Sequence, residues 1–553
     1  MLSIVAGLLM MTVPVSYQSP IADSIVLAGN FGEPRPNHFH GGIDVKTDGV
    51  EGKRVLAIGD GFVSRITMGL YGFGNAVYIT HPEGYTSIYC HLREFSPCIK
   101  NALTHWRYHE ESNSHDVRFA PSDVPVSTGQ LIAFSGNTGH SMAPHLHLEI
   151  RESKTLAMTD PLDFIGHLLS DKRPPQAHAF MAYPQTGEGV FNGSQNSQSF
   201  GFGTNGRKLR FKAWGKVGFG LWANDYMENT YNSLGIRETL LCVDGKVVFR
   251  SNVNLVPVWS NIMVNSWGDY RHWLHRRRWY MKSFREPGNT LALFQTDEND
   301  GIINFNEEKV YLVEYILRDA FGNESKYTFE VEGTRQALST EAPHTAHHSA
   351  LVAPLGKTMK WDRINMWTCP GVQLVLPMGS IVGTIEPNPS IRKGNYSAQC
   401  SFHASPFPLF KYGEISLYVN RKVSNPSKLY LVEHYVKDTF MEGTLKNGWL
   451  TGKIRYLDAS YEVAYDDEPP TIKTIKLGED IILSVADGGS GLQKYTATLD
   501  GRFIAFEPTD KSPVVKCHLR ESPFPRDGKK HKLKFTAIDN CSNASTYTAT
   551  ITY

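Results

Sequence analysis

Five residues carry most of the chemical information in this chain: His40, Asp44, His91, His145 and His147. The first two lie four apart in RPNHFHGGIDVKT, and the last two lie two apart in SGNTGHSMAPHLHLEIR. Imidazole and carboxylate together bind transition metals. Two histidines and one carboxylate form a recurring catalytic zinc set that leaves a fourth position to water. The two stretches offer four candidate ligands, and His91 in YTSIYCHLRE adds a further imidazole. Three ligands plus two histidines for proton handling suit a metal-dependent hydrolase, because a neutral imidazole accepts protons near pH 7. Taken singly, each of these histidines reads as a packed or solvated side chain. The combination carries the signal.

These residues need elements that aim them at one point. A spacing of four places His40 and Asp44 on one face of a helix, and equally on one face of a strand. Gly41 and Gly42 favour the strand, since two glycines would cost a helix roughly 2 kcal/mol. His145 and His147 share a strand face, and Pro144 suits the strand start. Leu146 and Leu148 then face the other way. His91 is expected on a third strand with Tyr89 on its face and Cys90 pointing away from the metal. His38 reads as a surface or packing residue. Around these positions, residues 25–165 read as glycine-broken strands, as in KRVLAIGDGFVSRITMG and GQLIAFSGNTG. A polar and aromatic insert at 97–124 interrupts them, either as a lid or cleft wall or as a surface loop.

HxxxD and HxH are each weak signals. Joined to SGNTG ahead of PHLHLE, and to YxHL between them, they resemble the lysostaphin/LytM-type zinc endopeptidases of bacterial cell walls, in a Bacteroidetes-like multidomain version. The resemblance covers about 30–165, under a third of the chain. It implies one zinc ion held by His40, Asp44 and His147, with His145 as general base. It implies that His91 stabilises the developing oxyanion or shares the proton work. The implied substrate is the peptide cross-link of peptidoglycan. Alternatives are a non-catalytic wall-binding or regulatory protein on the same fold, or a zinc peptidase acting on exported proteins. No HExxH helix is present, so this is not a zincin, and the resemblance implies a histidine base rather than glutamate. Cys90 stands where that family commonly has alanine, and His140 and Met142 take loop positions usually held by small residues.

The rest of the chain reads as carriers for this site. With 553 residues it exceeds one compact core. A net charge of +1 gives no field for nucleic acid. The fold class is mostly β: an N-terminal antiparallel β-sheet metallopeptidase domain (20–167), followed by immunoglobulin-like β-sandwich modules. These are expected at 181–335, 350–464 (a β-rich region) and 466–553, with DKRPPQAHAF and AYDDEPP at two of the boundaries. The basic, aromatic stretch DYRHWLHRRRWYMKSFR reads as a packed edge with solvated arginines. His344, His347 and His348 read as solvated loop residues. Residues 1–17 read as a signal peptide for export to the periplasm, envelope or exterior, leaving no transmembrane segment. Seven cysteines lack any CxxC, and Cys369–Cys400 and Cys517–Cys541 are candidate disulfides in an exported protein.

Overall fold

The computed structural model describes residues 15–69, 71–202, 209–336, 358–509 and 512–553. The apolar run through residue 14 and the three histidines at 344, 347 and 348 lie outside the described residues. Tyr17 is already buried in the first core, its backbone N–H bonded to Phe164 O at 3.1 Å. The folded domain therefore begins before residue 18.

The N-terminal domain is built on an antiparallel sheet. Its strands are β1 (Leu27–Gly29), β2 (Ile43–Lys46), β3 (Gly61–Thr67), β4 (Ala76–Thr80) and β5 (Tyr85–Cys90). After helix α1 (Pro97–His109) come β6 (Asp116–Arg118) and β7 (His145–Glu152). The order across the sheet is β1-β2-β7-β5-β4-β3-β6. One face buries Val45, Val77, Ile79, Tyr89, Leu146 and Leu148 in a common core. Burying such side chains stabilises by about 1.5–3 kcal/mol each, which fixes which face β7 turns inward.

The insert at 97–124 is neither lid nor loose loop. Pro97 opens α1, and Ile99, Leu103 and Arg107, each four apart, form its buried stripe. β6 then extends the sheet at β3, the end remote from β7. The outer side of the insert meets the last domain. Arg107, about 1% exposed, donates to Glu507 at 2.6 Å, Lys100 pairs with Glu521 at 2.9 Å, and Asn113 accepts from the Phe506 N–H at 2.8 Å.

The second domain follows β8 (Met158–Thr159) and contains β9 (Gln176–Phe191), β10 (Arg210–Asn224), β11 (Leu255–Val256), β12 (Val310–Arg318) and β13 (Glu324–Gly333). Apart from β11, its strands form one continuous ten-stranded sheet rather than two separate ones. β10 pairs antiparallel with β9 and parallel with β13. The cause lies in β9 and β10, which run long and shift register together at Gly189 and Gly215. A Cβ on Gly189 would lie 1.9 Å from Lys216 O, and Gly215 has φ +75°. The enclosed core is rich in phenylalanine, with Phe180 and Phe329 stacked at 4.1 Å. β8 pairs with β11, so the first sheet runs on into this domain. In the basic stretch, helix α2 (Tyr270–Arg276) stacks Trp273 on Trp279 at 5.3 Å, with Arg277 over Trp273.

Two further domains follow, one with two five-stranded sheets around one core and one with two four-stranded sheets around another. All seven cysteines are free. Cys369 and Cys400 sit on opposite sheets of the third domain. Cys517 lies in the fourth core, whereas Cys541 packs on Tyr430 and Val432 of the third domain. Neither candidate disulfide forms.

The Arg107–Glu507 contact makes a checkable demand. Glu507→Ala leaves a buried guanidinium without its carboxylate. It is expected to cost about 1–2 kcal/mol, since the outer partner is partly solvated. The measurements are the unfolding midpoint and protease sensitivity of the 97–124 segment.

Candidate metal centre

Strand pairing brings the two histidine stretches together. β7 lies between β2 and β5, with His147 opposite Asp44 on one side and Cys90 on the other. Directly opposed residues share a face, so Asp44 and His147 meet while Leu146 and Leu148 enter the core. His145, the first residue of β7, projects beside them, with Nε2 3.3 Å from Asp44 Oδ1.

His40 arrives differently from expectation. It does not share a strand with Asp44, because β2 begins only at Ile43. Gly41 and Gly42 instead let irregular backbone press against β7. A Cβ on Gly41 would lie 2.7 Å from Glu149 Oε1, and one on Gly42 would lie 2.1 Å from Leu148 O. His91 also departs from a simple strand reading. β5 ends at Cys90, and His91 has φ +61°, an uncommon left-handed conformation for a residue with a side chain. That turn swings the His91 ring to 4.9 Å from His145 and 5.8 Å from His147. Cys90, opposite His147, therefore lies on the metal side of the sheet rather than pointing away from it. Its thiol is fully buried, and burial pushes its pKa well above the usual range. His38 is exposed, and Met142 is fully exposed in the loop before His145.

The donor atoms form a tight triangle. His40 Nε2 and His147 Nδ1 are 3.0 Å apart, and Asp44 Oδ1 lies 3.0 Å and 2.8 Å from them. The outer nitrogens decide what these atoms carry. His40 Nδ1 donates to Asn30 O at 2.7 Å, and His147 Nε2 donates to Glu149 Oε1 at 3.1 Å. His91 Nδ1 donates to Thr138 O, and His145 Nδ1 to Ala143 O, both at 2.8 Å. These tautomers follow from the hydrogen-bond network. In the neutral rings every inner nitrogen then presents a lone pair. Three lone pairs with no proton between them repel unless a cation sits at their centre. Donors about 2.0–2.1 Å from a tetrahedral zinc lie about 3.3 Å apart, so this triangle fits such an ion with a small expansion.

The electrostatics agree. Burial pushes His40 down to about 4 and His91 down to about 3, the neighbouring imidazoles adding to the latter. Burial also works against the charged form of His147, yet its bonds to Asp44 and Glu149 outweigh that and hold it near 9. Asp44 is disfavoured by burial as well, but the surrounding histidines keep its carboxyl well below the usual range. Without a cation the pocket therefore keeps one proton on His147.

Three supporting residues escaped the sequence reading. Glu149, about 3% exposed, orients His147 and is itself held by Arg151 Nε at 2.7 Å. Arg35 binds the second Asp44 oxygen at 2.8 Å. Such partners fix the ligand tautomer and ring orientation. Glu149 was recoverable: in HLHLE it follows His147 by two on the same strand face.

Residues 38–104 match the sequence model of peptidase family M23, a segment that contains His40, Asp44 and His91. Over that segment the N-terminal domain is similar to that family. Residues 356–466 separately match a Zu5-like domain. Over 114 residues the chain is 34% identical to a DD-carboxypeptidase/endopeptidase, Mpg, of Neisseria meningitidis, covering 20% of each chain. It is 31% identical to an uncharacterized metalloprotease of Haemophilus influenzae over 110 residues, covering 20% of this chain and 18% of the other. The chain thus spans about a fifth of the length of the curated relatives it matches. The catalytic domain of lysostaphin from Staphylococcus simulans is similar at 24% identity, covering 26% of this chain and 90% of that one, with a TM-score of 0.19.

The pKa shifts in the M23 domain set a pH test on metal-free protein. His40 binds fewer protons folded than unfolded, so its stabilising contribution is complete above about 6.5 and is lost as pH falls toward 4. His147 is opposite: its contribution is complete below about 6.5 and lost as pH rises through 9. Imidazole NMR should show His40 neutral and His147 protonated at pH 7.

Proposed function

We propose that the N-terminal domain is a zinc-dependent endopeptidase that hydrolyses cross-link peptides of peptidoglycan in the cell envelope. The observation that carries this reading is the convergence of His40, Asp44 and His147 beside two further inward-facing imidazoles. Two nitrogens and one carboxylate oxygen suit zinc, whereas calcium and magnesium prefer oxygen alone. When bound, zinc lowers the pKa of water to about 7 and polarises the scissile carbonyl.

The protein's own groups do the rest. His40 and His147 supply neutral nitrogens, each held by an acceptor on its far side. Asp44 gives one oxygen to the centre and the other to Arg35, which pins its rotamer. His145, tied through Nδ1–H to Ala143 O, offers Nε2 as the acceptor for the proton of the attacking water and returns it to the leaving amine. His91 offers its own Nε2 to the same space. It shares that proton and then, as a donor, faces the developing oxyanion.

The likeness to a relative named DD-carboxypeptidase/endopeptidase supports wall peptides as the substrate class. The apolar N-terminal run supports export. No described helix is long and apolar enough to cross a membrane. The complete ligand set weighs against a non-catalytic binding role.

Zinc-loaded protein is expected to release soluble muropeptides from purified sacculi, to stop on chelation and to resume on zinc addition. His145→Ala should keep zinc and lose about 10²–10⁴-fold in turnover, while Asp44→Ala should lose both. Metal content and rate unchanged in Asp44→Ala would refute the ligand assignment. Zinc-loaded protein that releases nothing, where a known wall hydrolase works, would return the chain to a binding role. A further check is proton release: zinc binding at pH 7 should displace about one proton from His147. Calorimetry in buffers of different ionisation enthalpy reads it.

A further inference from the structure

A second cluster lies where the M23 domain passes into the second domain. Asp171 is in the linker, Asp225 directly follows β10, and Asp319 directly follows β12. One carboxylate oxygen from each lies within 4.8 Å of the others, and the residues are only 8%, 4% and 5% exposed. Asp171 Oδ2 and Asp225 Oδ1 are buried and have no hydrogen-bond partner. Three further oxygens of the cluster are occupied. Asp171 Oδ1 accepts from the Arg173 N–H. Asp319 Oδ1 accepts from the N–H groups of Phe321 and Asn323, and Asp319 Oδ2 from Asn323 Nδ2 at 2.6 Å.

The charge around this cluster is unbalanced. The Glu228 carboxyl also lies within hydrogen-bonding reach of the Asp171 carboxyl, so the pair can share a proton. The positive group nearby is Arg173, whose guanidinium bonds Met227 O and lies over the Tyr226 ring. Burial, with Asp319 adding to it, pushes Asp225 up to about 8, and burial pushes Asp171 up to about 6. Two buried carboxylate oxygens without a protein partner carry a desolvation cost that either a proton or a cation relieves.

We propose that Asp171, Asp225 and Asp319 form a calcium site that locks the junction between the first two domains. The donors are oxygen alone, which selects a hard cation over zinc. Calcium–oxygen distances of 2.3–2.6 Å allow ligands to stand up to about 5 Å apart across the ion, which matches the spread of this cluster. Binding would tie the linker to the β12–β13 turn. Asn323 Nδ2 already holds Asp171 O, and Ser325 Oγ holds Pro175 O at 2.6 Å.

The same linker clamp recurs before the fourth domain, which marks it as a built unit. Asp171-Lys-Arg-Pro-Pro corresponds to Asp466-Asp-Glu-Pro-Pro, and Asp319 with Asn323 corresponds to Asp539 with Asn543. Asn543 Nδ2 holds Asp466 O, and Ser545 Oγ holds Pro470 O. In that copy, however, the Asp466 and Asp487 oxygens accept backbone N–H groups. The first copy is the one with two orphaned oxygens.

The test uses the full chain with zinc content monitored separately, so its outcome is independent of the peptidase reading. Chelator-stripped protein is titrated with calcium chloride, with magnesium chloride as comparison, by calorimetry and thermal unfolding. Terbium emission sensitised by Tyr226 gives a local signal. Calcium is expected to bind with a Kd no weaker than about 10⁻³ M and to raise the unfolding midpoint. Asp225→Asn should abolish that rise and the terbium signal. In chelator the same variant should unfold no earlier than wild type, because the uncompensated carboxylate is gone. Asp171→Asn, in the linker, repeats the test should Asp225→Asn fold poorly. A wild-type midpoint unmoved by millimolar calcium, or a rise retained in both variants, overturns the proposal.

Discussion

The M23 domain depends on one arrangement of unshared electron pairs. His40 Nε2, His147 Nδ1 and Asp44 Oδ1 stand within 3.0 Å of one another, and the outer hydrogen bonds leave no proton to separate them when both rings are neutral. That geometry repels itself unless positive charge occupies its centre, so surrounding structure has to hold it. Antiparallel register supplies Asp44 opposite His147, and two glycines bring His40 against β7. Asn30, Glu149, Thr138 and Ala143 supply the outer acceptors. A slip of one residue in β7 would place leucines where the histidines belong.

Much of this was legible because strand periodicity is a local property. The alternation in HLHLEI places His145 and His147 on one face whatever lies beside them. The mostly β architecture followed from the same alternation and its glycine punctuation. The failures came where distant chain decides. His91 leaves its strand through a left-handed turn, so Cys90 faces the side opposite to the one that strand alternation alone predicts. The long paired strands of the second domain close one sheet where two were expected. Cysteine spacing said nothing about which sheet or core each thiol occupies. Arg35 is recognisable as the partner of Asp44 only once the fold is known.

The supporting groups show how a buried charged site is kept ordered. Asp44 spends one oxygen on Arg35, which also reaches Glu33, and Glu149 spends one on Arg151. The aspartate cluster at the first junction contrasts with this: its carboxylates crowd together, and the one nearby guanidinium is engaged elsewhere.

The docking of α1 on the last domain has a consequence for the molecule as a mechanical object. The first domain joins the second through β8 and β11, and the second meets the third where Gly383 N–H bonds Pro287 O. The third meets the fourth through Lys428 and Cys541 O. The fourth then returns to the first through Arg107 and Glu507. Four joints in a closed cycle behave differently from beads on a string. Releasing one leaves its two halves tethered at high effective concentration by the other three, so each joint can be individually weak while the cycle stays shut.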